Sequence, residues 1–414
     1  MLRFFRRVLM SVLWIGVSVA FGQTPRVLTG IDVLCERNFG ILQGKRVGLI
    51  TNPTGVDVYL RSTIDILASA PGVRLVALFG PEHGVRGDLP AGAPVTSSID
   101  PRTHLPVFSL YGRTKKPSAE MMKGVDILVY DIQDIGVRSF TFIATMGLCM
   151  EAAAENGIPF VVLDRPNPLG GLRVEGTPVR KDFLSFVSPY PIPYIYGLTP
   201  GELAQYLNAR GYLSGGIRCS LVVVPMKGWQ RSLTFAETGL LWIPPSPHVP
   251  TSDAPMYVAA LGVVGELGTV SEGVGFTLPF HLFGAEWIDP QRLAELLSTM
   301  RLPGVSVRPL SYRPFYGRDA GKDLQGVQIY IVDPEKVSLI STQFRVLEAC
   351  HALFPGHNPF ETDSTRLAMF DRVIGTDSVR TQFVKRFAYE DIEGLLTEGV
   401  NEFKLDSKQF WLYH

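Results

Sequence analysis

The stretch DILVYDIQDIGVRSFTFIATMGLCMEAAAENGIPFVVLD, residues 126–164, reads as one strand–helix–strand unit. Asp126–Ile132 is an almost unbroken apolar run, as a strand covered on both faces requires. FIATMGLCMEAAAENG (142–157) predicts a helix stopped at Gly157. Phe160–Asp164 is again a short apolar strand. A strand, a helix and a second strand at this spacing make a parallel crossover unit.

The alternation continues in both directions. Lys45–Thr51, Val73–Phe79 and Pro106–Leu110 read as strands, with a helix over 62–70. PGELAQYLNARG (200–211) predicts a helix with proline at its start, and CSLVVVPM (219–226) a strand. The expected fold class is α/β, a doubly wound and mostly parallel sheet with helices on both faces. Beyond Pro290 the pattern changes. PQRLAELLSTMRL and SLISTQFRVLEACHALF read as helices, GVSVRPL and GVQIYIVD as strands, and 364–414 as mostly helical. A second, smaller α+β domain follows, dividing the chain into 1–22, 23–289 and 290–414.

The chain has 414 residues, 46% of them hydrophobic, enough for one large core or two smaller ones. Lys+Arg and Asp+Glu both number 39, and no basic stripe suggests a nucleic-acid partner. The first residues carry Arg3, Arg6 and Arg7, an apolar stretch from Val8 to Phe21, and the small-x-small triplet Ala20-Phe21-Gly22. This reads as a secretory signal cut before Gln23. The stretch is short for a membrane span of about 20 residues, and no cysteine at the cut offers a lipid attachment point. The expected location is periplasmic or secreted, without stable membrane insertion after cleavage; an uncleaved anchor is the alternative. Cys35, Cys149, Cys219 and Cys350 lack metal-type spacing and read as buried thiols rather than a bridge.

Polar, Gly- and Pro-rich segments follow the carboxyl ends of five strands: NPTG, GPEHG, YGRTKK, QDIGVRSFTF and RPNPLGG. In open α/β sheets the ligand crevice lies there. No G-x-G-x-x-G follows a strand, and Walker, G-x-S-x-G and H-E-x-x-H motifs are absent, so neither a cofactor nor a metal is expected. What remains are carboxylates (Glu82, Asp131, Asp134, Asp164 and Glu272) beside Arg86, Arg138 and Arg165. Carboxylates suit glycoside hydrolysis, and an arginine fork suits an anionic substrate group. Each residue also has a plainer role. Glu82 pairs with Arg86, His83 is a structural hydrogen-bonder, and Asp131 or Asp134 caps the next helix. Asp164 pairs with Arg165, Asn52 and Asn167 form turns, and Glu272 is a charge in a glycine-rich turn. Trp229, Trp242 and Trp287 read as core.

GLITNPTGVD, LFGPEHGVRGDLPAG, VYDIQDIGVRSFTFIATM, VLDRPNPLGG, PPSPHVPTSDA and GTVSEGVGFTLPFHLFGAEWID stand in an order that resembles the bacterial exo-β-N-acetylmuramidases, the NamZ-type family. The resemblance runs from about Gly30 to the C-terminus. It implies a Rossmann-like domain with a smaller auxiliary domain and the site between them. It implies release of N-acetylmuramic acid from the non-reducing ends of peptidoglycan fragments, with the catalytic glutamate at Glu82. On that reading His83 orients Glu82 or the water, and Asp131 or Asp134 supplies a second carboxylate or binds sugar hydroxyls. Asn52, Arg86, Arg138, Asp164, Arg165, Asn167 and Glu272 bind substrate, one arginine pairing with the lactyl carboxylate. His248, Val274, Phe276 and Glu286 depart from the family pattern in segments that shape the sugar pocket. The rival readings are a periplasmic muropeptide-binding protein and a hydrolase of another anionic sugar derivative.

Overall fold

A computed structural model describes residues 27–87 and 98–414. The expected signal segment and the cut before Gln23 lie outside the described residues. A seven-stranded sheet is built from β1 Arg46–Thr51, β2 Arg74–Gly80, β3 Ser98–Ile99, β4 Pro106–Ser109, β5 Ile127–Asp131, β6 Phe160–Leu163 and β7 Leu221–Val224. Its order is β3-β4-β2-β1-β5-β6-β7. All neighbours are parallel except β3, which runs antiparallel to β4. The chain steps outward from β1 through β2 to β4, then returns to lay β5 on the other side of β1. The topological switch point therefore falls between β1 and β5, where Thr51 lies opposite Asp131.

Both faces are covered. One carries α1 Gly30–Glu36 and α2 Thr63–Ser69, which bury Ile31, Leu34, Ile64 and Leu67 against Val47, Leu49 and Leu75. The other carries α3 Phe142–Glu155 and α4 Pro200–Arg210, which bury Met146, Cys149, Leu203 and Leu207 against Ile50, Leu128 and Tyr130. The local sequence explains α4 well. Thr199 and Glu202 form a capping box, Pro200 opens the helix, and Gly211 closes it in the left-handed conformation.

The C-terminal part holds a three-stranded antiparallel sheet, β8 Leu282–Ala285, β9 Val305–Tyr312 and β10 Leu324–Ile331, in the order β8-β10-β9. Around it lie α5 Ala254–Gly265, α6 Pro290–Met300, α7 Leu339–Leu353, α8 Ser364–Ile374, α9 Ser378–Phe383, α10 Glu393–Thr397 and α11 Val400–Ser407. The sequence boundary at 289/290 cuts through this unit. β8 lies before the boundary yet pairs with β10, and α5 shares its core with α7 and α8 through Ala259, Val263, Phe344 and Phe370. The cause is the composition of α5. APMYVAALGVVG is apolar all round, so it shows no amphipathic stripe, and it is buried between layers. Ile135, Val137, Tyr194 and Ile195 of the first unit enter the same core.

The four cysteines are free thiols, three of them buried. No helix among the described residues is long and apolar enough to cross a membrane.

Candidate active site

β2 ends at Gly80, and the chain turns at once, with Gly84 N–H donating to the Pro81 carbonyl at 3.0 Å. His83 and Gly84 both adopt positive φ, +71° and +77°. A non-glycine residue in that region is held there by its surroundings, and such residues cluster at working sites. His83 is buried and Glu82 half-buried. Thr141, at the start of α3, donates its Oγ1 hydrogen to Glu82 Oε2 at 3.2 Å. Tyr111, just beyond β4, faces the same carboxylate; burial, then the Glu82 charge and their hydrogen bond, push its phenol up to about 12. His248 lies within charge-interaction range of His83. Burial first, and then the neighbouring His83, hold its imidazole below the ordinary range.

The other expected residues divide sharply. Asp131 is wholly buried and already engaged. It accepts from Arg165 Nε at 2.5 Å and Nη2 at 3.0 Å, and from Thr63 Oγ1 at 2.5 Å. Arg165 also donates to the Val56 carbonyl at 2.9 Å. Asp131, expected as a catalytic carboxylate, and Arg165, expected to read the lactyl group, thus face each other as a closed pair in this structure. Asp164 is no rim residue. It is buried and accepts from Thr199 Oγ1, Tyr413 Oη and the N–H groups of Arg165 and Gly201. Burial raises its carboxyl to about 7 despite those donors.

Arg138 is 0% exposed and donates to the carbonyls of Thr177, Ile192, Val373 and Ile374 and to Ser188 Oγ. It ties the loop after β5 to the carboxyl end of α8, where helix carbonyls lack partners. Burial lowers its guanidinium to about 9. Arg86 is bidentate on Asp100, at 3.0 and 3.1 Å. All three arginines offered for the lactyl group are thus committed to protein groups. Glu272 belongs to the C-terminal unit, where Arg318 Nη2 donates to it at 2.9 Å.

Asn52 and Asp134 mark the switch point. Asn52 Oδ1 accepts from Thr54 N and Oγ1, and the Thr54 hydroxyl oxygen accepts from Gln133 N–H at 2.8 Å. Asp134 Oδ2 accepts from Gly136 N–H and the Tyr196 hydroxyl. Asn52 Nδ2 and Asp134 Oδ1 are buried without a hydrogen-bond partner among the described residues. Burial raises the Asp134 carboxyl to about 6. Asn167 is a turn former, its Oδ1 accepting from Leu169 N–H.

Thr141, Tyr111 and Tyr196 were not singled out in the sequence, although Thr141 and Tyr111 lie in flagged rim segments. The parallel register brings Thr141 and Tyr111 to Glu82, while Tyr196 meets Asp134. Among the described residues no group of three or more His, Cys, Asp or Glu side chains is placed to hold a metal ion.

A half-buried carboxyl held by two hydroxyls, at the carboxyl edge of a doubly wound sheet, has the form of an acid/base centre. Residues 47–253 and 257–413 match the two halves of one family, described as "Exo-beta-N-acetylmuramidase NamZ, N-terminal" and "C-terminal". The chain is 44% identical over 389 residues to the Bacillus subtilis "Peptidoglycan beta-N-acetylmuramidase NamZ", covering 94% of this chain and 92% of that protein. A DUF1343 family crystal structure from Bacteroides fragilis superposes with a TM-score of 0.90 at 52% identity, over 94% of this chain and 100% of that one. A second from the same organism gives 0.72 at 28% identity, over 94% and 99%. The chain belongs to the NamZ family of exo-β-N-acetylmuramidases, and it is an enzyme of the glycoside hydrolase class.

Proposed function

We propose that this chain removes N-acetylmuramic acid from the non-reducing ends of peptidoglycan fragments, with Glu82 as general acid and base. The observation that carries this is the Glu82 carboxyl, held by Thr141 and Tyr111 beside the switch point of a NamZ-family chain. Glu82 delivers its proton to the glycosidic oxygen as the C1–O bond breaks. The leaving sugar departs with a free hydroxyl. Water then adds to C1 and returns a proton to the Glu82 carboxylate. His83, fixed at positive φ, orients Glu82 or that water. Asp134, with one oxygen unpartnered, stands as the second carboxyl group in place of Asp131. The first 22 residues act as a secretory signal, so the enzyme works outside the cytoplasm on wall-derived sugars.

The test is an incubation of purified protein with a chromogenic β-N-acetylmuramide, the matching glucosaminide and a sugar phosphate. Release from the muramide alone is expected. Tight binding without release would select a muropeptide-binding protein instead, and release from the phosphate another anionic-sugar hydrolase.

A further inference from the structure

The loop joining β9 to β10 carries two adjacent aromatic rings that the core does not use. Phe315 is 65% exposed and Tyr316 41% exposed. The loop is held firmly all the same. Arg313 grips Asp323 at its root with two hydrogen bonds of 2.7 Å. Phe315 N–H donates to the Gly275 carbonyl at 2.9 Å, and Gly321 N–H to the Pro314 carbonyl at 2.8 Å. Gly275 sits at φ +98°, and a Cβ there would meet the Tyr316 carbonyl oxygen at 2.2 Å. Phe276 props the loop from behind, its ring 5.4 Å from Tyr312 and 6.5 Å from Phe315.

His248 links this loop to the turn that carries the acid. His83 follows Glu82, His83 lies within charge-interaction range of His248, and His248 stacks on Tyr316 at 5.9 Å and 16°. Phe315 lies 5.4 Å beyond Tyr316. The inner end of this path, at His83, is buried; the outer end, at Phe315, is exposed and aromatic. A sugar ring offers polar edges and an apolar C–H face, and an aromatic π-face attracts the latter. An exo-acting site takes the terminal sugar inward, so the remainder of the glycan leads outward.

We propose that Tyr316 and Phe315 form the binding face for the leaving-group sugar, stacking on the ring that departs when the terminal sugar is released. This rests on the muramidase reading above. His248 and Phe276 are the residues whose rings pack against the platform, so they tune the preference for that second ring.

The experiment compares two substrates that share the terminal sugar. One is the β-1,4-linked N-acetylmuramyl-N-acetylglucosamine disaccharide; the other is β-N-acetylmuramyl fluoride, whose leaving group has no ring. The ratio of kcat/KM for disaccharide over fluoride should fall about tenfold in the Phe315→Ala/Tyr316→Ala double variant, mostly through KM. Tyr316→Phe should retain the ratio, because the stacking face survives. An unchanged ratio in the double variant, whether both activities fall together or neither moves, overturns the platform while leaving the muramidase reading intact. Failure of the wild-type protein to cleave either substrate overturns both.

Discussion

Thr141 Oγ1 lies 3.2 Å from Glu82 Oε2, joining the first turn of α3 to the turn after β2. The two residues are 59 apart in sequence and meet because β1 alone separates β2 from β5. Glu82→Gln keeps the volume and the Thr141 contact but cannot deliver a proton. General acid catalysis contributes about 10²- to 10⁴-fold, so turnover should fall by that range with little change in Tm. Thr141→Val should lower kcat more mildly. A Glu82→Gln variant that keeps more than about a third of wild-type activity removes Glu82 from the acid role.

The Asp131–Arg165 pair should behave as structure. Both side chains are at most 5% exposed, and Asp131 has both oxygens engaged. Breaking a buried pair by removing one partner costs about 3–5 kcal/mol. Asp131→Ala should therefore lose stability of that order in a urea melt. A variant as stable as wild type but inactive would return Asp131 to the chemistry.

Much of this was readable in the chain. Residues 126–164 announce the strand, helix and strand that the structure shows, because doubly buried strands are unbroken apolar runs. The rim was legible for the same reason, since polar residues after such runs have to lie at the sheet edge. What stayed hidden depends on long-range geometry. Nothing local says that Asp131 is closed by Arg165 and Thr63, or that Arg138 reaches carbonyls 235 residues away. β3 is two residues long, and α5 lacks a polar face, so neither gave a periodic signal.

For Arg138 the expectation has changed with its partners. Its donors are spent on carbonyls of both units, so Arg138→Met leaves several acceptors without a donor. Activity on a muramide and on the matching glucosaminide should drop in parallel, together with Tm. A loss confined to the muramide would show that Arg138 reads the lactyl carboxylate after all.

The mature chain should begin at Gln23. Intact-mass measurement of protein recovered from the periplasm or medium checks this. Retention of Met1 with membrane fractionation would establish an anchor.

Stability should depend on pH through buried acids. Burial raises Asp164 to about 7 and Asp134 to about 6, from an ordinary 3.8. Burial, with the nearby Glu272 charge, raises Glu266 to about 7 from 4.5. Between these values and the ordinary ones the folded chain holds protons that the unfolded chain has released. A proton held only in the folded state stabilises it, fully below the ordinary carboxylate range, and the gain is lost as pH rises through 6 and 7. Asp100 works in the opposite sense. The Arg86 hydrogen bonds hold its carboxyl well below the usual range, so its contribution disappears only in strong acid. Asp164→Asn isolates the largest raised group while keeping an oxygen for the Gly201 N–H. The urea midpoint of wild type relative to this variant should decline steadily from about pH 4 to 8. A difference that stays flat across that window would mean that Asp164 is ionised in the folded protein, and that its four donors outweigh its burial.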